Sequence, residues 1–183
     1  MDISKGRYWD LPWSLISGCT PCSPGCDHCW SAAMAHRFKR EGEPGHTSGI
    51  LTDEHGCFNG AIVCHPERLS IPTRRRKPTV YAVWNDLFHE DVDVNFIEDA
   101  LAVMTNCPQH TFLVFTKRSE RLSKLMTKGC LRISRTDTWP IKNLWLGITV
   151  CDQQEADKKI PVFLQVPGGK FLSIEPLLGE AIK

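Results

Sequence analysis

The sequence predicts an α/β fold: a partial (β/α) barrel of parallel strands, with a cysteine-rich loop ahead of it near the N-terminus. Three observations predict it. Four short runs, TVYAVW (79–84), TFLVFT (111–116), NLWLGITV (143–150) and KFLSIE (170–175), are almost continuously apolar and rich in β-branched and aromatic residues. Strands covered on both faces have that composition. Segments with helical periodicity separate the runs, supplying the crossovers that parallel pairing requires. Polar residues gather just after each run: Asn85, Asp86 and His89; Lys117 and Arg118; Asp152; Glu175. Parallel α/β folds build their sites at the carboxyl ends of strands, so these groups are expected to meet in one pocket. An open doubly wound sheet fits the same pattern.

In chain order, WSAAMAHRFKR (30–40) reads as a short helix with a basic end. Residues 41–60, rich in Gly, His and acids, read as a loop. IPTRRRKP sets four cations between two prolines and reads as a solvated connector, a phosphate-contacting patch being its alternative. VNFIEDALAVMTNC puts Phe96, Ile97, Ala100, Leu101 and Met104 on one helical face. SERLSKLMTKG is expected to be a helix with Ser119 as N-cap and Gly129 as its stop. EADKKIPVFLQV should hold a short helix that breaks before Pro161. Residues 1–183 are expected to form one domain, with the cysteine loop at 17–30 and the βα units over about 79–178.

A chain of 183 residues with 42% hydrophobic and 23% charged residues has ordinary globular composition. Its formal net charge of +1 creates no overall field toward nucleic acid or an anionic membrane. No apolar run reaches the roughly 18–20 residues of a membrane span, and MDISKGRYWDLPW lacks the apolar stretch of a signal peptide. The reading therefore expects a cytoplasmic chain without membrane association. In that reducing compartment, nine cysteines suggest metal or redox chemistry before disulfides.

Four of them, Cys19, Cys22, Cys26 and Cys29, fall within CTPCSPGCDHCW (19–30). Cys22, Cys26 and Cys29 make C-x3-C-x2-C, while Cys19, Cys26 and Cys29 make C-x6-C-x2-C. A cubane cluster takes one thiolate per iron, and three ligands leave one iron open. A closed shell of four thiolates would suit structural zinc, but zinc knuckles pair two short elements across a loop, and here everything lies in one run. His28 reads as a neighbour of the ligands. Cys107, Cys130 and Cys151 read as ordinary core or surface residues. His55, Cys57, Cys64 and His65 offer donors for a second zinc site.

The C-x3-C-x2-C spacing ahead of parallel βα units resembles the radical S-adenosylmethionine superfamily. More narrowly, the chain resembles a family of phage and bacterial proteins of unknown function with a three-cysteine motif. The segments that carry the likeness are WSLISGCTPCSPGCDHCW, HPERLSIPTRRRKP, NDLFHEDV, PQHTFLVFTKRSERL, NLWLGITVCDQ and FLSIEPLLG, which together span nearly the whole chain. The family's usual triad falls on Cys19, Cys26 and Cys29, and Cys22 is an addition, so the choice of three ligands stays open. The resemblance implies a [4Fe–4S] cluster whose open iron chelates S-adenosylmethionine. One-electron cleavage would then give methionine and a 5′-deoxyadenosyl radical that takes hydrogen from a substrate. Asp86, Lys117 and Glu175 are the strand-end groups expected to touch that ligand.

The resembling proteins continue with a further strand and a glycine-rich segment, so a shortened chain is expected, completed by a second copy or another chain at the edge of strand 170–175. The bacterial cytosol is the expected setting. A nucleotide or nucleic acid is one candidate substrate, suggested by RRRK and FTKR. The rival reading is a non-catalytic module, stiffened by zinc or a cluster, that binds a nucleotide or a partner protein.

Overall fold

The structure, a computed structural model, describes residues 6–40, 49–127, 129–135 and 138–180. Five parallel strands form its main sheet: β1 (Leu11–Pro12), β4 (Val80–Val83), β5 (Thr111–Thr116), β6 (Leu144–Val150) and β7 (Gly169–Ile174), side by side in that order. Two further short strands, β2 (Ile16–Ser17) and β3 (Val63–Cys64), pair antiparallel in a separate ribbon. The helices are α1 (Trp30–Arg37), α2 (Val94–Asn106), α3 (Ser119–Thr127) and α4 (Gln153–Leu164).

From β4 onward, each strand lies beside its predecessor and always on the same side. Right-handed crossovers then carry α2, α3 and α4 to one face of the sheet. The strand order from β4 to β7 therefore lacks the reversal of a doubly wound sheet. The sheet is mixed with helices but open; among the described residues β1 and β7 are its edges and no barrel closes.

Strand alternation divides the side chains between two faces. Tyr81, Phe112, Val114, Leu146 and Ile148 are all at most 2% exposed and pack with Ile97, Leu101, Met104 and Leu122 under the helices. Each such fully buried side chain contributes about 1.5–3 kcal/mol. Trp13 closes this core from the N-terminal segment, 5.3 Å from Phe112 between ring centroids. The opposite face carries an aromatic row. Trp84 stacks on Phe115 at 4.5 Å, and Phe115 meets Phe171 edge-on at 4.9 Å. Phe171 can lie there because Gly147, its register partner, has no side chain; a Cβ at that position would fall 2.2 Å from the ring.

The five residues expected on one face of α2 are all buried, and Asp93 caps that helix by accepting from the Asn95 N–H at 2.7 Å. α3 starts one residue earlier than expected, with Ser119 as its first helical residue and not its N-cap, and Gly129 takes a φ of +62° beyond its end. α4 corrects the reading of its segment, since it runs through Pro161 to Leu164. Pro161 costs the helix about 3 kcal/mol, but Phe163 and Val166 beyond it are buried at 4% and 1%. Burial of two large apolar side chains offsets that cost. The RRRK run is exposed at the amino end of β4, where Arg75 Nε donates to Thr79 Oγ1 at 2.7 Å. It is a connector at the end of the sheet away from the strand-end polar groups. β7 presents Leu172 and Ile174 to solvent at 41% and 45% exposure. Of the loop expected at 41–60, residues 41–48 lie outside the described residues. Among the described residues no helix is long and apolar enough to cross a membrane.

Candidate metal centre at the strand ends

The cysteine loop leaves β2 through Gly18, whose φ is +89°. The loop then makes a single 3-10 turn over Pro24–His28, with Pro24 fixing its first φ. The Cys26 N–H donates to Ser23 O at 2.8 Å, and Cys29 stands as the N-cap position of α1. Gly25 is buried where a Cβ would sit 3.0 Å from Lys117 Nζ, 3.1 Å from Pro176 Cδ and 3.2 Å from Cys151 Cβ. Absence of a side chain therefore lets the loop press onto the ends of β5, β6 and β7. Arg118 Nη2 donates to Thr20 O at 3.1 Å, His89 Nε2 and Thr20 Oγ1 are hydrogen-bonded at 2.9 Å, and the Gly60 N–H donates to Cys19 O at 3.2 Å.

Between loop and sheet lies a cavity of about 330 Å³. Cys19, Cys22, Cys26 and Cys29 all line it. So do Asn85 and Asp86 from the end of β4, Thr116, Lys117 and Arg118 from β5, Thr149 from β6, and Ser173 and Glu175 from β7. Trp84 and Phe115 supply apolar wall. Of the strand-end groups expected to meet in one pocket, Asn85, Asp86, Lys117, Arg118 and Glu175 line it together with the four thiols. His89 instead bonds to Thr20 of the loop, and Asp152 caps α4, accepting from the Glu155 N–H at 2.7 Å. His28 lines it too, as a neighbour of the cysteines.

The electrostatics of the loop centre on Cys26. Its thiol is held down to about 4, first by a hydrogen bond from Cys22, and then by the Cys22 N–H (3.4 Å), Ser23 Oγ (3.6 Å) and Lys117 Nζ (3.7 Å). Cys22, the donor in that pair, is pushed up. Burial raises the Cys19 thiol to about 11, with the Asp86 carboxylate adding to it. Two cations therefore approach the sulfurs: Lys117, which also donates to Ser23 Oγ at 3.0 Å, and Arg118, whose Nη1 lies 3.5 Å from Cys22 Sγ. Such charges offset the negative charge that clustered thiolates accumulate.

Asp86 reaches the cavity wall, but its oxygens serve the protein. Oδ1 accepts from Thr116 Oγ1 at 2.6 Å and the Phe88 N–H at 3.2 Å; Oδ2 accepts from the Lys117 N–H at 3.3 Å and Arg118 Nη1 at 3.0 Å. With Glu90, 2.5 Å from Arg118 Nε, it fixes a guanidinium that is only 8% exposed. Asp86 thus positions Arg118 beneath the loop. Thr149 and Ser173 were not singled out from sequence, because each is one polar residue on the inner face of an apolar strand. Alternation from Gly147 and Phe171 is the signal that would have found them.

Among the described residues no three His, Cys, Asp or Glu side chains converge to hold a single metal ion. The second zinc site considered for His55, Cys57, Cys64 and His65 is accordingly not formed; His65 is engaged by Ser17 Oγ at 2.8 Å and Glu67 at 3.2 Å. All nine cysteines are free thiols, with Cys107 and Cys151 buried in the core and Cys130 exposed.

Neither a curated protein nor a solved structure matches the chain. A match over residues 4–183 does place it: the chain belongs to the family described as protein of unknown function (DUF5131).

Proposed function

We propose that the chain is an iron–sulfur protein of radical S-adenosylmethionine type, of phage or bacterial origin and acting in the cytosol of a bacterial cell. Cys19, Cys26 and Cys29 are the residues that would hold a [4Fe–4S] cluster, and the strand ends would hold S-adenosylmethionine. One observation carries the reading: four clustered thiols and the polar ends of four parallel strands line the same cavity. The nine free thiols suit a reducing compartment.

The donor set fits such a group. Cys19, Cys22, Cys26 and Cys29 are free thiols lining one cavity in a single run of chain, whereas zinc sites usually pair two short elements across a loop. A cubane spreads its ligands, one thiolate per iron. Cys19, Cys26 and Cys29 match the spacing of the resembling family, and Cys22 is assigned beside them, its N–H donating to Cys26 Sγ at 3.4 Å. When bound, a [4Fe–4S] cluster with one open iron supplies the electron that cleaves the sulfonium to methionine and a 5′-deoxyadenosyl radical.

The chain's own residues bind, orient and exclude water. Glu175 accepts hydrogen bonds from the ligand, and the Thr149 and Ser173 hydroxyls donate or accept beside it. Lys117 ties the loop to β5 through Ser23, and Asp86 keeps Arg118 beneath Cys22. Trp84 and Phe115 make the apolar wall that a reactive radical requires.

The test is anaerobic incubation of reconstituted protein with S-adenosylmethionine and dithionite. The expected result is release of 5′-deoxyadenosine and methionine in equal amounts. Protein with its full iron content that leaves S-adenosylmethionine intact would overturn the reading.

A further inference from the structure

A second cavity, of about 820 Å³, adjoins the first and shares Trp30, Ser31, Phe58, Trp84, Asn85 and Glu175 with it. Its size lies within the range of small-molecule sites. Three indoles form one wall. Trp84 stands edge-on to Trp9 at 5.4 Å and 81°, and to Trp30 at 5.9 Å and 86°. Phe115 covers one face of Trp84, and the Arg7 guanidinium lies over the Trp9 ring at 5.1 Å. The half-exposed Trp30 is therefore the ring on which a planar group can lie, with Trp84 beside it in the edge-to-face arrangement aromatic groups favour. Trp30 and Met34 are nevertheless 48% and 49% exposed, leaving a broad apolar surface beside α1.

Away from the shared wall the lining changes character. Ser14, Ser17, His65 and Arg68 face the chamber there. Arg68 Nη1 donates to Ser14 O at 2.9 Å, and His65 Nε2 is hydrogen-bonded to Ser17 Oγ at 2.8 Å, so both nitrogen groups are held in place. Glu67, which pairs with both from outside, is 65% exposed and is not part of the lining. The one carboxylate among the described lining residues is Glu175, on the shared side. An aromatic wall, hydroxyls and a pinned guanidinium are the partners of a ligand with a flat heterocycle and an anionic group. Bases stack on tryptophan, and arginine takes phosphate oxygens in a fixed fork.

We propose that this chamber binds a nucleotide unit, with its base against the indole wall at Trp30 and Trp84 and its phosphate at Arg68. That the bound nucleotide is the substrate rests on the reading of the first cavity; its binding does not.

The experiment uses the full chain, purified without cluster reconstitution, and calorimetry with adenosine 5′-monophosphate, adenosine and a short oligodeoxyadenylate. The mononucleotide should bind. Arg68→Ala should weaken it about tenfold while leaving adenosine nearly unchanged, as loss of a charged hydrogen bond does. Met34→Glu, at an exposed position the fold tolerates, should weaken adenosine about tenfold through lost apolar contact, and the mononucleotide by at least as much because its phosphate is also repelled. Tighter binding of the oligonucleotide would identify the unit as part of a strand, and weaker binding as a free nucleotide. Absence of mononucleotide binding, or binding that neither variant changes, overturns the proposal. The two readings fail separately: nucleotide binding without iron uptake removes only the proposed function, and iron uptake with S-adenosylmethionine cleavage but no nucleotide binding removes only this one.

Discussion

Gly18 is where the fold of the cysteine loop is most sharply exposed to a single substitution. It joins β2 to Cys19 at a φ of +89°, and a Cβ there would lie 1.9 Å from Ala61 O and 3.2 Å from Leu51 Cδ2. To reach the 3.0 Å that real Cβ contacts respect, the carbonyl would have to retreat about 1.1 Å. It is not free to do so. The Ala61 N–H is tied to Asn59 Oδ1 at 3.0 Å, and the neighbouring Gly60 N–H to Cys19 O at 3.2 Å. Gly18→Ala therefore combines left-handed strain of about 1–2 kcal/mol with an overpacking cost of about 1–3 kcal/mol. At about 2–4 °C per kcal/mol for a chain of this size, a cost near 3 kcal/mol lowers Tm by about 6–12 °C. Gly179→Ala is the control, because Gly179 has a φ of +100° with nothing within 4 Å of the added atom. That variant bears the strain alone, about 1–2 kcal/mol, and should lose about 2–8 °C, less than Gly18→Ala. Thermal unfolding followed by circular dichroism, with iron uptake measured alongside, separates the two. If Gly18→Ala melts with Gly179→Ala and takes up iron like the wild type, the steric argument is wrong.

Other consequences follow from single side chains. Asp86→Ala leaves the buried Arg118 guanidinium without one of its two carboxylates and should cost about 3–5 kcal/mol in urea unfolding; a loss under 1 kcal/mol would remove Asp86 from its positioning role. Burial alone would raise the Glu155 carboxyl, but Lys159 and the Cys151 N–H, at 2.9 Å, hold it below its ordinary value. Its stabilisation is thus present above the ordinary glutamate value of about 4.3 and fades as pH falls below it. The urea midpoints of wild type and Glu155→Gln should differ at pH 7 and draw together toward pH 3, and a gap that stays constant would contradict this. Cys22→Ser should keep the iron that Cys19→Ser loses, as read by iron analysis after reconstitution; the reverse pattern would make Cys22 the ligand.

The strands β4 to β7 and the helices α2 and α3 were legible because burial on both sides writes an unbroken apolar run, and a half-buried helix writes a period. β1 was not: two residues, one of them Pro12, carry no period, and its place comes from pairing with Tyr81 and Ala82 far along the chain. Pro161 misled because local backbone cost says nothing of how deeply Phe163 and Val166 are buried beyond it. In the site, the thiols, Lys117 and Glu175 stood out by type and by position at strand ends. The engagement of Asp86 could not be read, since it depends on Thr116 and Arg118 arriving from the neighbouring strand. The chamber of three indoles was equally hidden, because Trp9, Trp30 and Trp84 come from three separate segments.

The proposed chemistry depends first on whether the loop at 19–30 holds a four-iron cluster. Iron, acid-labile sulfide and zinc analysis of anaerobically reconstituted protein, wild type beside Cys26→Ala, tests it most directly. Wild-type chains should carry about four irons and four sulfides with little zinc, and Cys26→Ala should lose both iron and sulfide. One zinc per chain without sulfide, or a full iron content that survives Cys26→Ala, would contradict it.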